Sequence, residues 1–104
     1  MNTSNGLKLN QILNQKVRCV GSQVYMFFAY VVRSISTNYF YKGHCQNLKE
    51  RLKQHNSGMT ESIRKYIPFE LAYFETFETR EEAIAREKYF KSAAGRRFLK
   101  SKIN

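Results

Sequence analysis

Arg51, His55 and Glu87 are ionisable residues standing where the helical periodicity around them calls for apolar ones. In "NLKERLKQHNSG", residues 47–58, a rotation of about 100° per residue gathers Leu48, Arg51, Leu52 and His55 on one stripe, opposite Lys49, Glu50, Lys53 and Gln54. A guanidinium there either snorkels past the stripe's edge or meets a partner, because an unpaired buried charge is strongly unfavourable. In "TREEAIAREKYFK", residues 79–91, the stripe is Ala83, Ile84, Glu87 and Phe90, with Glu87 at its centre. That carboxylate needs something positive: Arg51, as an ion pair, or a metal ion. Tyr30 and Tyr41 fall on neighbouring strands and share a face if the turn sets that register. Gly43, two residues beyond Tyr41, leaves room on that face for another molecule to approach. Any single Tyr among seven is ordinarily core packing. Two phenols, an imidazole, a guanidinium and a carboxylate converging on one cleft are less easily dismissed as core packing.

The charge balance narrows the class of partner without naming a chemistry. The chain carries 18 Lys and Arg against 8 acids, a net charge of +10, and it contains no Asp. The first acid is Glu50, so residues 1–49 carry positive charge alone. Such a surplus on a small domain attracts phosphate polyanions or anionic membrane. Nucleic acid is the favoured partner, although ribosome-associated proteins share this composition. The apolar run Val24–Val32 is far shorter than the ~20 residues a membrane-spanning helix needs. Arg33 closes it with no small-residue cleavage site, so no membrane partner is expected. Cys19 and Cys45 have neither metal-ligand spacing nor the density of a disulfide scaffold, which points to reduced thiols and a cytoplasmic protein.

At 104 residues the chain has material for one domain. Residues 1–25 are rich in Asn, Gln and Ser, with too few apolar side chains to offset the entropy of ordering them, and read as a poorly structured extension. The domain proper spans 26–104. "YMFFAYVVRS" is apolar on both alternating sets, as a central strand near 26–34 must be. "ISTN" turns the chain into a returning strand near 39–44, and "FELAYFETF" supplies a third at 69–77. Asn47 with Glu50, and Thr79 with Glu82, are capping boxes opening helices over 47–57 and 79–93. Gly58 stops the first as a C′ residue, and Gly95 interrupts the second before a last short turn. "MTESIRKYIP" reads as a short helix or loop. The fold class is therefore α+β: a three-stranded, mainly antiparallel sheet flanked by helices.

These residues, in this order, resemble the GIY-YIG nuclease family. "AYV" at 29–31 stands where that family has its first tripeptide and "YKG" at 41–43 where it has the second. Arg51 matches the Arg of the family's first helix, His55 the His or Tyr four residues on, and Glu87 the single metal-binding Glu of the later helix. The likeness covers roughly residues 26–100 and is similar to small stand-alone bacterial members. Ala29 and Val31 are mild departures, and Lys42 replaces a central Ile at a position pointing away from Tyr41.

The resemblance implies an endonuclease hydrolysing phosphodiester bonds in DNA, structured or branched forms included, in repair or recombination. It implies one divalent cation, Mg²⁺ or Mn²⁺, held by Glu87 with water completing its shell. Arg51 would brace the phosphate and Tyr30 would hydrogen-bond nearby. The proton would pass to Tyr41 or to His55. A phenol, titrating near ~10, needs nearby positive charge to act as a base, whereas an imidazole titrates near ~6.5. Lys42, His44, Lys49, Lys53, Arg64 and Lys65 would contact nucleic acid without reading sequence. No small-molecule cofactor is expected, and the protein is expected to be a monomer. Two other readings compete: a catalytically idle nucleic-acid binder of the same fold, and an unrelated RNA-associated protein.

Overall fold

The computed structural model describes residues 26–103, and the extension expected over 1–25 lies outside them, as does Asn104. Strand β1 (Phe27–Ser34) lies at the centre of an antiparallel sheet of order β2-β1-β3, between β2 (Phe40–Cys45) and β3 (Phe69–Phe77). Its five residues Phe28–Val32 are all at most 4% exposed, as expected of a strand covered on both faces. Helix α1 (Leu48–Asn56) and a 3-10 helix (Glu61–Tyr66) cover one face, with Phe28, Tyr30, Val32, Leu48, Ile63 and Phe69 forming its core. Helices α2 (Arg80–Lys91) and α3 (Ala93–Ile103) cover the other, over Ala29, Val31, Phe90 and Leu99.

Each element stops and starts for a local reason. Asn47 caps α1 by accepting the Glu50 N–H at 3.0 Å, but the reciprocal Glu50 bond of the expected capping box does not form among the described residues. Thr79 and Glu82 close the full reciprocal box on α2, at 3.2 and 3.3 Å. Gly58 ends α1 at φ 87°, a left-handed conformation that glycine adopts without a Cβ penalty. Asn56 then fixes α1 to the start of β3: its amide donates to the Phe69 carbonyl at 3.0 Å and accepts the Phe69 N–H at 2.6 Å. The 3-10 helix fills the "MTESIRKYIP" segment.

Two further details depart from the sequence reading. The last helical segment breaks at Ser92 rather than at Gly95, and the residues beyond the break form a full helix rather than a short turn. The Ser92 hydroxyl donates to the Tyr89 carbonyl at 2.6 Å and accepts the Gly95 N–H at 3.0 Å, so it ends α2 and begins α3. Gly95 lies inside α3, where a Cβ would sit 1.7 Å from the Tyr89 carbonyl oxygen. Strand β3 also does not alternate throughout. Tyr73 pairs with Val31 and Leu71 with Val32, leaving Ala72 as the extra residue of a bulge. The bulge lets Leu71 and Phe74 both pack on the α1 side although they stand three positions apart.

Candidate active site

The β1–β2 register pairs Tyr30 with Gly43 and Val32 with Tyr41, so Tyr30 and Tyr41 share the α1 face. Helix α1 lays Arg51 and His55 on them. The Tyr30 hydroxyl lies 2.8 Å from His55 Nε2, and Arg51 Nε donates to it at 3.3 Å. His55 Nδ1 is 3.1 Å from the Thr60 hydroxyl, and the Tyr41 ring meets the imidazole edge-on at 5.1 Å between centroids.

Proton bookkeeping gives this network a direction. The Tyr30 oxygen already accepts from Arg51, and its own O–H is buried with His55 Nε2 as its neighbour. Tyr30 therefore donates to Nε2, and Nδ1–H donates to Thr60, which leaves His55 neutral. Burial, and then the Arg51 charge, hold the His55 pKa below its ordinary value. Burial pushes the Tyr30 phenol well above its own, against the hydrogen bond and charge of Arg51. The same contact with Tyr30 raises Arg51, although burial opposes it. Cys45, on this face behind the cluster, is pushed by burial to about 11.

The space expected beside Gly43 is not open to another molecule. A Cβ built there would stand 2.6 Å from the Tyr30 hydroxyl and 2.8 Å from Cζ, so the phenol fills the gap from within.

Glu87 lies across the sheet from this cluster and is not the partner of Arg51. His44, on the opposite face of β2 from Gly43, holds Glu87 Oε1 at 2.6 Å, and Lys91 donates to Oε2 at 2.6 Å. Burial disfavours the Glu87 carboxylate, yet the hydrogen bonds from Lys91 and His44 outweigh it and lower its pKa. Arg51 instead donates to two neutral oxygens, those of Tyr30 and Gln54, the latter at 3.1 Å. Among the described residues no carboxylate forms an ion pair with it.

The expected nucleic-acid contacts scatter. Lys49 and Lys53 occupy the solvent side of α1, Arg64 and Lys65 are exposed on the 3-10 helix, and Lys42 and His44 face the α2–α3 side of the sheet. Asn56, Thr60 and Lys91 were not singled out by sequence. Polar residues at loop and helix ends give no periodic signal, although Lys91 stands four residues after Glu87, the spacing of a helical ion pair.

Among the described residues no three His, Cys, Asp or Glu cluster around a common point. Glu87 nonetheless suits a hydrated divalent ion: its carboxylate is held in its charged form by two side chains, and an ion at Oε2 would displace only Lys91, whose side chain is 54% exposed. No helix among the described residues is long and apolar enough to cross a membrane.

Residues 26–103 match the GIY-YIG catalytic domain, and the chain belongs to this nuclease family. It is similar to the UPF0213 protein in the ldhD 5′ region of Pediococcus acidilactici, 36% identical over 63 residues, which cover 58% of this chain and 64% of that protein. A UPF0213 protein of Bacillus licheniformis is 38% identical over 63 residues, covering 60% and 65%. The UPF0213 protein YazA of Bacillus subtilis is 40% identical over 65 residues, covering 62% and 65%. The chain thus spans a little under two thirds of the length of these relatives, whose names state no activity.

Proposed function

We propose that this domain is a metal-dependent endonuclease that hydrolyses DNA phosphodiesters held along β2, the edge strand among the described residues, in repair or recombination in the cytoplasm. One observation carries the reading: Arg51 is a half-buried guanidinium whose hydrogen-bond partners are neutral. A charge so placed is stabilised by an anion from outside, and its planar fork suits phosphate oxygens. Tyr30 and Gln54 hold that fork in position, while His55 and Thr60 fix Tyr30.

In the reaction, a bond forms between water oxygen and phosphorus, the bond to the deoxyribose oxygen breaks, and one proton passes overall from water to the leaving group. Tyr41 is the group we assign to orient that water. His55 is 1% exposed and both its ring nitrogens are engaged, which favours Tyr41 over His55 for this task. Because β2 is an edge strand, a backbone passing along it meets Arg51 and Tyr41 on one side and Glu87 on the other. Glu87 would hold Mg²⁺ or Mn²⁺, which when bound supplies Lewis-acid stabilisation of the phosphoryl oxygens.

A second reading, the idle nucleic-acid binder, draws support from the pairing of both Glu87 oxygens. A supercoiled-plasmid nicking assay with and without Mg²⁺ or Mn²⁺, beside Glu87→Ala, separates the two. Nicking that needs the metal and Glu87 supports the enzyme, and binding without nicking supports the idle domain.

A further inference from the structure

On the α3 side of the sheet lies a cavity of about 440 Å³. Its floor is apolar, built from Phe40, Leu99 and Ile103, and its walls carry Lys42, Arg96 and Lys100. Arg33 also reaches it, already paired with Glu70 at 2.8 Å. No acid stands among the described lining residues, and among those residues the Arg96 guanidinium donates only to the Lys91 carbonyl, at 2.7 Å. Burial, and then the charges of Arg96 and Lys91, depress the Lys42 pKa, a crowding that a bound anion would relieve. The volume falls in the usual range for a small-molecule site, and an apolar surface with a few convergent charges is what such sites present.

Its position ties it to the cluster around Glu87. Lys42 and His44 are alternate residues on one face of β2, and His44 holds Glu87. Lys91 is both the donor to Glu87 and the residue whose carbonyl anchors Arg96. A nucleic-acid strand leaving Glu87 along this face of β2 therefore runs toward the cavity.

We propose that this cavity is a subsite for one unpaired nucleotide flanking the cleaved phosphate, with its base on Phe40 and Ile103 and its phosphate on Lys42, Arg96 and Lys100. The proposal rests on the endonuclease reading and narrows its substrate class. A base still stacked and paired in a duplex cannot enter a pocket of this size, whereas a single strand, flap or fork offers one that can. The cations alone would suit any anion, and the apolar floor is what selects for a base.

The test is chosen to be independent of cleavage. Metal-free protein is titrated with deoxyadenosine 5′-monophosphate and followed by amide chemical shifts, with inorganic phosphate and deoxyadenosine as separate arms. The nucleotide should shift Lys42, Arg96 and Ile103 and bind more tightly than either half. The Arg96→Ala/Lys100→Ala variant, altered only at exposed positions of α3, should bind it roughly tenfold more weakly, as expected for lost charge-assisted hydrogen bonds. Inorganic phosphate binding as tightly as the nucleotide, shifts centred elsewhere, or an unchanged affinity in the double variant would each overturn the subsite. A parent protein that binds the nucleotide here but never nicks DNA refutes the nuclease reading and leaves the subsite standing. If the parent does nick, the double variant should lose its preference for flap over duplex substrates.

Discussion

The Tyr30 hydroxyl stands where a side chain at residue 43 would be, 2.6 Å from the position of a Gly43 Cβ. The two residues are directly paired across β1 and β2, so the glycine is what lets a bulky phenol lie flat against the sheet and reach His55. Gly43→Ala should push the ring off this position and cost about 1–3 kcal/mol, the range for overpacking a filled core. Urea unfolding measures it. Tyr30→Phe removes the nearest clashing atom but not Cζ, so the double variant should show partial rescue. Strict additivity of the two changes would mean the ring does not fill the gap.

His55 makes stability depend on pH with a definite sign. Its folded pKa lies below the unfolded value of about 6.5, so between the two the unfolded chain binds more protons and stability rises with pH. The contribution is complete above about pH 6.5 and is lost as pH falls through the folded value. Tyr30, Tyr41, Arg51 and Thr60 surround the ring; its burial opposes charging most, and Arg51 is the charged neighbour that adds to it. Thermal midpoints at pH 7.5 and 5.5 should differ more in the parent than in His55→Gln. An equal drop in both would assign the dependence to other groups.

The α1 half of the site was legible because helical and strand periods converge there. Arg51 and His55 interrupt one stripe, and Tyr30 and Tyr41 alternate onto one face once the register, left open by the sequence, pairs Tyr30 with Gly43. Glu87 shows the limit. Its stripe position correctly turned it toward the sheet, but periodicity carries no information about which face α2 covers. The partner it found, His44, is set by the crossover of the chain from β3 to the far side. The Gly43 gap was misread for a related reason: a missing side chain marks a close approach without saying whether the visitor is internal. The break at Ser92 was missed because a serine inside a helical pattern is ambiguous until its hydroxyl is seen capping the next helix.

Arg51→Ala should damage binding and cleavage together. It removes one phosphate contact, so the slope of log affinity for DNA against log salt should shrink by about one unit. Arg51→Lys should not restore activity, since a point charge cannot both donate to Tyr30 and Gln54 and present a fork to phosphate. Fluorescence anisotropy across a salt series, beside the nicking assay, measures both. An unchanged salt slope in Arg51→Ala would show that the guanidinium meets no phosphate.

Glu87→Ala separates chemistry from binding more sharply than any other change. The substitution frees His44 and Lys91 from the carboxylate, and removing an anion from a basic surface cannot weaken its attraction to a polyanion. DNA affinity should therefore stay the same or rise slightly, while metal-dependent nicking falls by at least about a hundredfold, the loss expected when the charge stabilisation of a phosphoryl transfer is removed. Lys91→Ala offers the complementary case. It takes away the competitor for Glu87 Oε2, so half-maximal nicking should need less Mg²⁺ than in the parent. A Glu87→Ala protein that nicks as well as the parent would end the assignment of Glu87 to the metal, and a Lys91→Ala protein with an unchanged Mg²⁺ requirement would show that Lys91 is not displaced when the ion binds.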